Sequence, residues 1–316
     1  MKLLTIFVIP LIYFSAATCQ KPESATKQAA ATERAWGFLG TDAFRGKAEV
    51  ARYTGEVLRY GHRRQAELML ITVLEPFKPE QLVKSETETD YYMIKQNQVL
   101  SYQTGVYPYR QMNSLFWEAS SGRFRKAVMT SQEWCGQTYK ELRKHKNTLQ
   151  YFYSSYWENE SRGYTTVQVP QSHALLYDEL PLLVRMDRLE DRKTKMFPML
   201  MSSQVRRPDW DIGLPGRAPD FWPASLENRT GTLQWKGQLR NVRIVVVRQS
   251  SRNAKDGTVP AREDIFYVDM DSASRPLLRW ERNDGGILEL QSLDYFDYWQ
   301  HNDPGEVLPG NQALPK

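Results

Sequence analysis

Glu49–Tyr60 and Gln65–Leu74 are two β-forming runs separated by Gly61-His62-Arg63-Arg64, and a hairpin is the arrangement that uses both. Val50, Tyr53, Thr54, Val57, Leu58 and Tyr60 give the first run its β-branched and aromatic character. The same alternation of short run and polar break continues along the chain. Strands are expected at Tyr91–Ile94 with Val99–Thr104, Arg123–Thr130, Thr138–Leu142, Leu149–Trp157 and Tyr164–Val169. Later ones are expected at Met196–Met201, Thr232–Gln238, Val242–Gln249, Asp264–Asp269, Pro276–Arg282 and Ile287–Phe296. Glu158–Gly163 and Asn283-Asp284-Gly285-Gly286 read as turns. Many short strands without alternating helices predict a mainly β domain. The expected form is an antiparallel meander making a curved sheet, open barrel or half-barrel, with one covering helix.

That helix is expected at Ser172–Arg185, where Ser172 suits an N-cap and Leu175, Leu176, Leu180, Leu183 and Val184 recur at helical spacing. Pro181 should kink or split it. A weaker helical pattern covers Ala29–Trp36. Arg206–Gly231 holds Pro208, Pro215, Pro219 and Pro223, so a regular central strand is not expected there. Its Trp210, Phe221 and Trp222 should turn down onto the sheet, as a lid over its mouth or as a patch on its outer face.

The N-terminus has the anatomy of a secretory signal peptide. Lys2 precedes the apolar run Leu3–Phe14, and Ser15-Ala16-Ala17-Thr18 offers a small-residue cleavage zone. The apolar run is about 12 residues, too short for a permanent span of ~20. Cys19 follows directly, where a bacterial lipoprotein signal places the thiol that receives a diacylglyceryl group. Gln20–Thr32 has almost no large apolar side chain and reads as a flexible spacer. The expected organisation is signal peptide 1–18, spacer 19–32, one β-rich domain 33–303 and a tail 304–316. With Cys19 acylated, Cys135 would be the one remaining thiol and no intrachain disulfide could form.

No catalytic motif identifies an activity. A G-x-S-x-G elbow, a Walker loop, an H-E-x-x-H pair and an EF-hand loop are all absent from the sequence. His62, His145, His173 and His301 are scattered without ligand spacing, so neither a metal nor another cofactor is expected. The charge of +5 is interspersed, which argues against a nucleic-acid partner. Cys135 could act as a nucleophile only with His145 or His173 brought to it by folding. The alternative is a small buried hydrophobe beside a core Trp134. Tyrosines such as Tyr107 and Tyr109 are either cross-strand pairs or, with Trp210, Phe221 and Trp222, ligand-facing aromatics.

Gly46-Lys47-Ala48-Glu49, Arg59-Tyr60-Gly61, Glu75-Pro76-Phe77 and Gln81-Leu82-Val83-Lys84 form one pattern with Thr104–Tyr109, Gln132-Glu133-Trp134-Cys135-Gly136 and Asp178-Glu179-Leu180-Pro181. Together they resemble a family of uncharacterised Bacteroidota cell-envelope lipoproteins, over roughly Trp36–Trp299. Members are sometimes labelled septum formation inhibitor, but the Ser-Pro-Arg-Arg string of the pyrophosphatases sharing that label does not occur here. The resemblance implies an envelope location, in the outer membrane or periplasm, with a lipid anchoring the chain to a membrane. The leading expectation is a non-enzymatic protein that binds an apolar, glycan or protein envelope component. A hydrolase or transferase using Cys135, and a structural scaffold, are the alternatives.

Overall fold

The computed structural model describes residues 36, 38, 46–87, 89, 91–158, 160–170, 174–186, 189, 191–198, 221–254 and 257–308. The first half of the chain gives β1 (Ala48–Arg59), β2 (His62–Lys78), β3 (Val83–Lys84), β4 (Tyr92–Thr104) and β5 (Tyr107–Glu118). It continues with β6 (Phe124–Glu133), β7 (Gly136–His145), β8 (Thr148–Ser155) and β9 (Arg162–Gln168). After β10 (Ala174–Leu176) come a 3-10 turn at Tyr177–Glu179 and a one-turn helix α1 (Leu180–Leu183). The second half holds β11 (Arg192–Phe197), β12 (Trp222–Trp235), β13 (Gln238–Gln249) and the small ribbon β14 (Arg252–Ala254) with β15 (Gly257–Val259). It ends with β16 (Arg262–Asp269), β17 (Leu277–Arg282) and β18 (Ile287–Phe296).

Sixteen of these strands form one sheet in the order β10-β11-β12-β13-β16-β17-β18-β1-β2-β4-β5-β6-β7-β8-β9, with β3 beside β2. Its ladders are antiparallel except the short β10–β11 pair. β9 and β10 end the sheet without pairing, so the meander is a curved sheet not closed into a barrel. The expected β1–β2 hairpin forms with a tighter turn. Tyr60 (φ 53°) and Gly61 (φ 72°) are its two central residues, the double left-handed conformation of a type I′ turn.

The segment from β10 to Arg185 sits in the concave face of this sheet. Gln98 of β4 donates to the Asp178 carbonyl at 2.7 Å, and Asn113 of β5 donates to its carboxylate at 2.7 Å. Tyr177 donates to Asp264 of β16 at 2.8 Å, and Arg243 of β13 donates to the Val184 carbonyl. The apolar side chains divide between two cores. Leu176, Leu182 and Met186 pack with Trp117, Leu142 and Phe197, while Tyr177, Leu180 and Val184 pack with Tyr53, Val245 and Phe266. Trp36 closes the first core, edge-on to Trp117 at 5.8 Å and donating to the Ala119 carbonyl at 3.1 Å.

The continuous helix expected over Ser172–Arg185 is therefore corrected. Ala174–Leu176 is extended, because it pairs in parallel with Lys195–Phe197. Helix begins only at Leu180, with Pro181 in its first turn, where a missing N–H is harmless. The leucines that looked like one face serve two cores instead. Arg206–Gly231 needs a second correction. Trp222–Gly231 is the first part of β12, laddered to β11 and to β13. Pro223 is tolerated because it is the strand's second residue, ahead of the β13 ladder that starts at Ala224. Positions 206–220 lie outside the described residues.

Candidate functional site

Strand direction sorts the turns onto two ends of the sheet. Turns at Tyr60–Gly61, Gly105–Val106 and Trp134–Cys135 share one end. The β5–β6 and β7–β8 turns lie at the other, together with Ala48, the start of β1. A cavity of about 560 Å³ opens at this second end, between those two turns and the β10–α1 segment. Its apolar wall is Phe124, Ala174, Leu175, Leu183, Met186 and Leu189. Its basic wall is Arg123, Arg125, Lys144, His145, Lys146 and Arg192. The two walls differ in depth: Met186 and Leu189 are buried, whereas Arg123, His145 and Lys146 are exposed.

Among the described residues one carboxyl group, that of Glu179, joins this lining. It accepts from Trp117 Nε1 and from the Leu176 backbone N–H, both at 2.8 Å. Loss of hydration outweighs these two donors and pushes its pKa up to about 7. Lys144 stands near it. β7 turns Leu142 inward, and the two-residue period brings Lys144 to the same side. Burial lowers the Lys144 pKa, and attraction to Glu179 opposes this only in part. Among the described residues Lys144 has no carboxylate within ion-pair distance. The neighbouring arginines are tied down, Arg123 by Glu118 at 2.8 Å and Arg125 by the Tyr91 hydroxyl at 2.9 Å.

A polar layer behind the cavity holds the β10–α1 segment in place. Gln98 also donates to Gln96 at 3.0 Å, and Gln96 donates to Thr72 at 3.2 Å. On the other side, Asp264 accepts from Tyr177, from Trp280 at 3.0 Å and from Arg262 at 2.6 Å. Buried polar groups satisfied in this way rigidify a segment and fix its register. The cavity wall is built on a fixed element.

Of the residues singled out in the sequence, His145 lines this cavity, whereas Tyr107, Tyr109, Phe221, Trp222, Trp134 and Cys135 do not. Cys19 and Trp210 lie outside the described residues. Tyr109 is buried, stacked on Tyr102 at 5.0 Å and hydrogen-bonded to Tyr60 at 2.6 Å. Tyr107 is half-buried and stacks on Trp134 at 6.3 Å, at the end of the sheet away from the cavity. Phe221 and Trp222 are both buried, with Phe221 against Phe197 at 5.4 Å. Trp134 and Cys135 are corrected from a buried strand pair to the two-residue tip of the β6–β7 hairpin. Glu133 pairs with Gly136 to close that hairpin, which leaves Trp134 74% exposed and Cys135 exposed. His145 ends the strand that Gly136 begins, so it stands about 30 Å from Cys135 at strand rise. His173 lies outside the described residues.

Apart from His145, named only as a partner for Cys135, and Leu175 and Leu183, named only for a helix, the cavity residues escaped the sequence reading. A signal was present in Arg123-Phe124-Arg125 and Lys144-His145-Lys146, two basic clusters at turns of alternate hairpins, which a meander places at the same end. Among the described residues no group of three or more His, Cys, Asp or Glu side chains is arranged to hold a metal, and no helix is long and apolar enough to cross a membrane. No protein-family model matches the chain, and no curated protein matches it. Among solved structures it is similar to a β-barrel-like protein of a domain of unknown function, DUF1849, from Brucella abortus. The TM-score is 0.43 at 10% identity, over 79% of this chain and 98% of the other.

Proposed function

We propose that this chain is an exported, lipid-anchored binding protein of the bacterial envelope whose ligand is an apolar or amphiphilic envelope component held in the cavity beside α1. The cavity carries the reading. Its volume of about 560 Å³ lies within the usual range for small-molecule sites, and it sets an apolar wall opposite a basic one. The N-terminal pattern ending in Cys19 supports export and anchoring. Ala48 begins β1 at the end where the cavity opens. Binding is favoured over catalysis because, among the described residues, the carboxyl group lining the cavity is engaged by two donors and no hydroxyl or thiol nucleophile lines it.

Organic extraction of the purified full chain, followed by mass spectrometry, tests the binding claim. A lipid or other amphiphile should be recovered from the wild type and lost from Leu183→Trp, which fills the cavity. Equal recovery from both would remove the cavity from the proposal. Labelling cells with a lipid precursor tests the anchor. The wild type should carry the label and Cys19→Ala should not; an unlabelled wild type would end the lipoprotein reading.

A further inference from the structure

We infer that the ligand is a single-chain amphiphile with an anionic head group, its head set against Lys144 and its chain laid along Leu175, Leu183, Met186 and Leu189. This rests on the binding reading above and gives it a chemical class. Charge is the first argument. Among the described residues, the cavity lining carries five arginine and lysine side chains against the single carboxyl group of Glu179. Most of those cations cannot be the head-group site. Arg123 and Arg125 are held by Glu118 and Tyr91, and Arg123 and Lys146 are exposed at the rim, where water screens them.

Lys144 is different in kind. It is half-buried in the wall and has no carboxylate within ion-pair distance among the described residues. Glu179 does not take that role: its carboxyl group is held by Trp117 and Leu176 and stands beyond ion-pair distance of the ammonium. Burial also favours its neutral form, with a pKa of about 7. A partly desolvated ammonium facing a cavity is a costly arrangement unless an anion arrives to complete it.

Position is the second argument. Lys144 lies at the end of β7, on the rim side of the cavity, whereas Met186 and Leu189 are buried. A polar head at the mouth and an apolar chain inside is the orientation that leaves neither surface mismatched. A bare anion would leave the apolar wall uncovered, and an uncharged amphiphile would leave Lys144 uncompensated.

Isothermal titration of the full chain, freed of bound lipid, with dodecanoate, dodecyl phosphate, dodecyl maltoside and inorganic phosphate tests the assignment. The two anionic amphiphiles should bind about tenfold or more tightly than the maltoside, as a charge-assisted contact predicts. Lys144→Gln should remove that preference, and Lys144→Arg should restore it. A stronger response to dodecyl phosphate than to dodecanoate would assign a phosphate head, and the reverse a carboxylate, each in support of the anionic class. Equal affinity for anionic and neutral chains would overturn the inference and leave the binding reading standing. Inorganic phosphate binding as well as dodecyl phosphate would also overturn it. Binding of none of the four, with nothing extracted from the purified protein, would sink both readings. Should Lys144→Gln fail to fold, salt titration of the wild type still decides: a preference unchanged by added salt is incompatible with a head-group ion pair.

Discussion

Arg185 donates from both terminal nitrogens to the two carboxylate oxygens of Glu49, at 2.5 and 2.7 Å, across 136 residues of chain. The pair is almost wholly buried, with side-chain exposures of 4% and 1%. Tyr295 adds a hydrogen bond to Glu49 at 2.9 Å, and Arg185 donates further to the carbonyls of Arg275 and Ser274. This contact fastens the end of the internal segment to β1, the central strand of the sheet. Removing one partner strands a buried charge, so Arg185→Met should cost about 3–5 kcal/mol. Replacing both with apolar residues should cost much less than two single changes. Urea unfolding of both single variants and the double variant checks this, and additive losses would mean that the two residues do not act as a pair.

Glu179 makes stability depend on pH in a direction opposite to most carboxylates. Its folded-state pKa is raised from 4.5 to about 7, chiefly by burial. The stabilisation it contributes is thus full below the unfolded value and is lost as pH rises through the folded one. The loss should be on the order of 3 kcal/mol at mildly alkaline pH. Glu179→Gln loses one hydrogen bond at every pH but should flatten this dependence. Melting temperatures of the two proteins across that range give the comparison, and parallel curves would refute the assignment.

Trp134 and Cys135 should be nearly silent in stability measurements. Both stand at the β6–β7 tip, and Trp134 gives up little area when truncated because it is 74% exposed. Trp134→Ala and Cys135→Ser should each fall within about 0.5 kcal/mol of the wild type. The thiol should react with iodoacetamide in the native protein as fast as in urea. Protection that disappears on unfolding would contradict the exposed position.

Gly55 has the opposite character. It lies in β1 at φ 159°, and a Cβ built there would stand 2.0 Å from the Ile287 carbonyl oxygen. The obstacle is backbone of the paired strand, which cannot swing away as a side chain could. Gly55→Ala should cost about 1–3 kcal/mol or more, as overpacked sites do. A thermal melt unchanged from the wild type would show that β1 and β18 can separate there at no cost.

The sequence made some strands plain and hid others, and the inner face of the sheet explains why. β1, β2 and β13 are rich in β-branched, aromatic and other apolar residues, which pack against apolar neighbours. β4 read as two fragments because Gln96 and Gln98 interrupt its pattern, yet both are buried, Gln98 on the Asp178 carbonyl of the internal segment and Gln96 between Gln98 and Thr72. β5 escaped notice for the same reason, since Gln111 and Asn113 face inward. A polar interior cannot be told from a polar surface until its partner is known, and here that partner is Asp178, more than sixty residues further on. The cavity was hidden likewise. Lys144 and Leu183 share no local pattern and meet only through the order of the strands.

The first strand and the last are neighbours in the middle of the sheet, with Ala48 opposite Phe296 and Glu56 opposite Ile287. A chain made from its N-terminus can assemble β1 to β9 early, but one whole edge of β1 then stays open until almost the entire polypeptide has emerged. That edge is a row of unpaired N–H and C=O groups, ready to accept a strand from another nascent chain. The protein should therefore be most vulnerable during synthesis, in the interval before its last strand arrives. Truncations that remove β18 should accumulate as aggregates, with no stable half-sheet among the products.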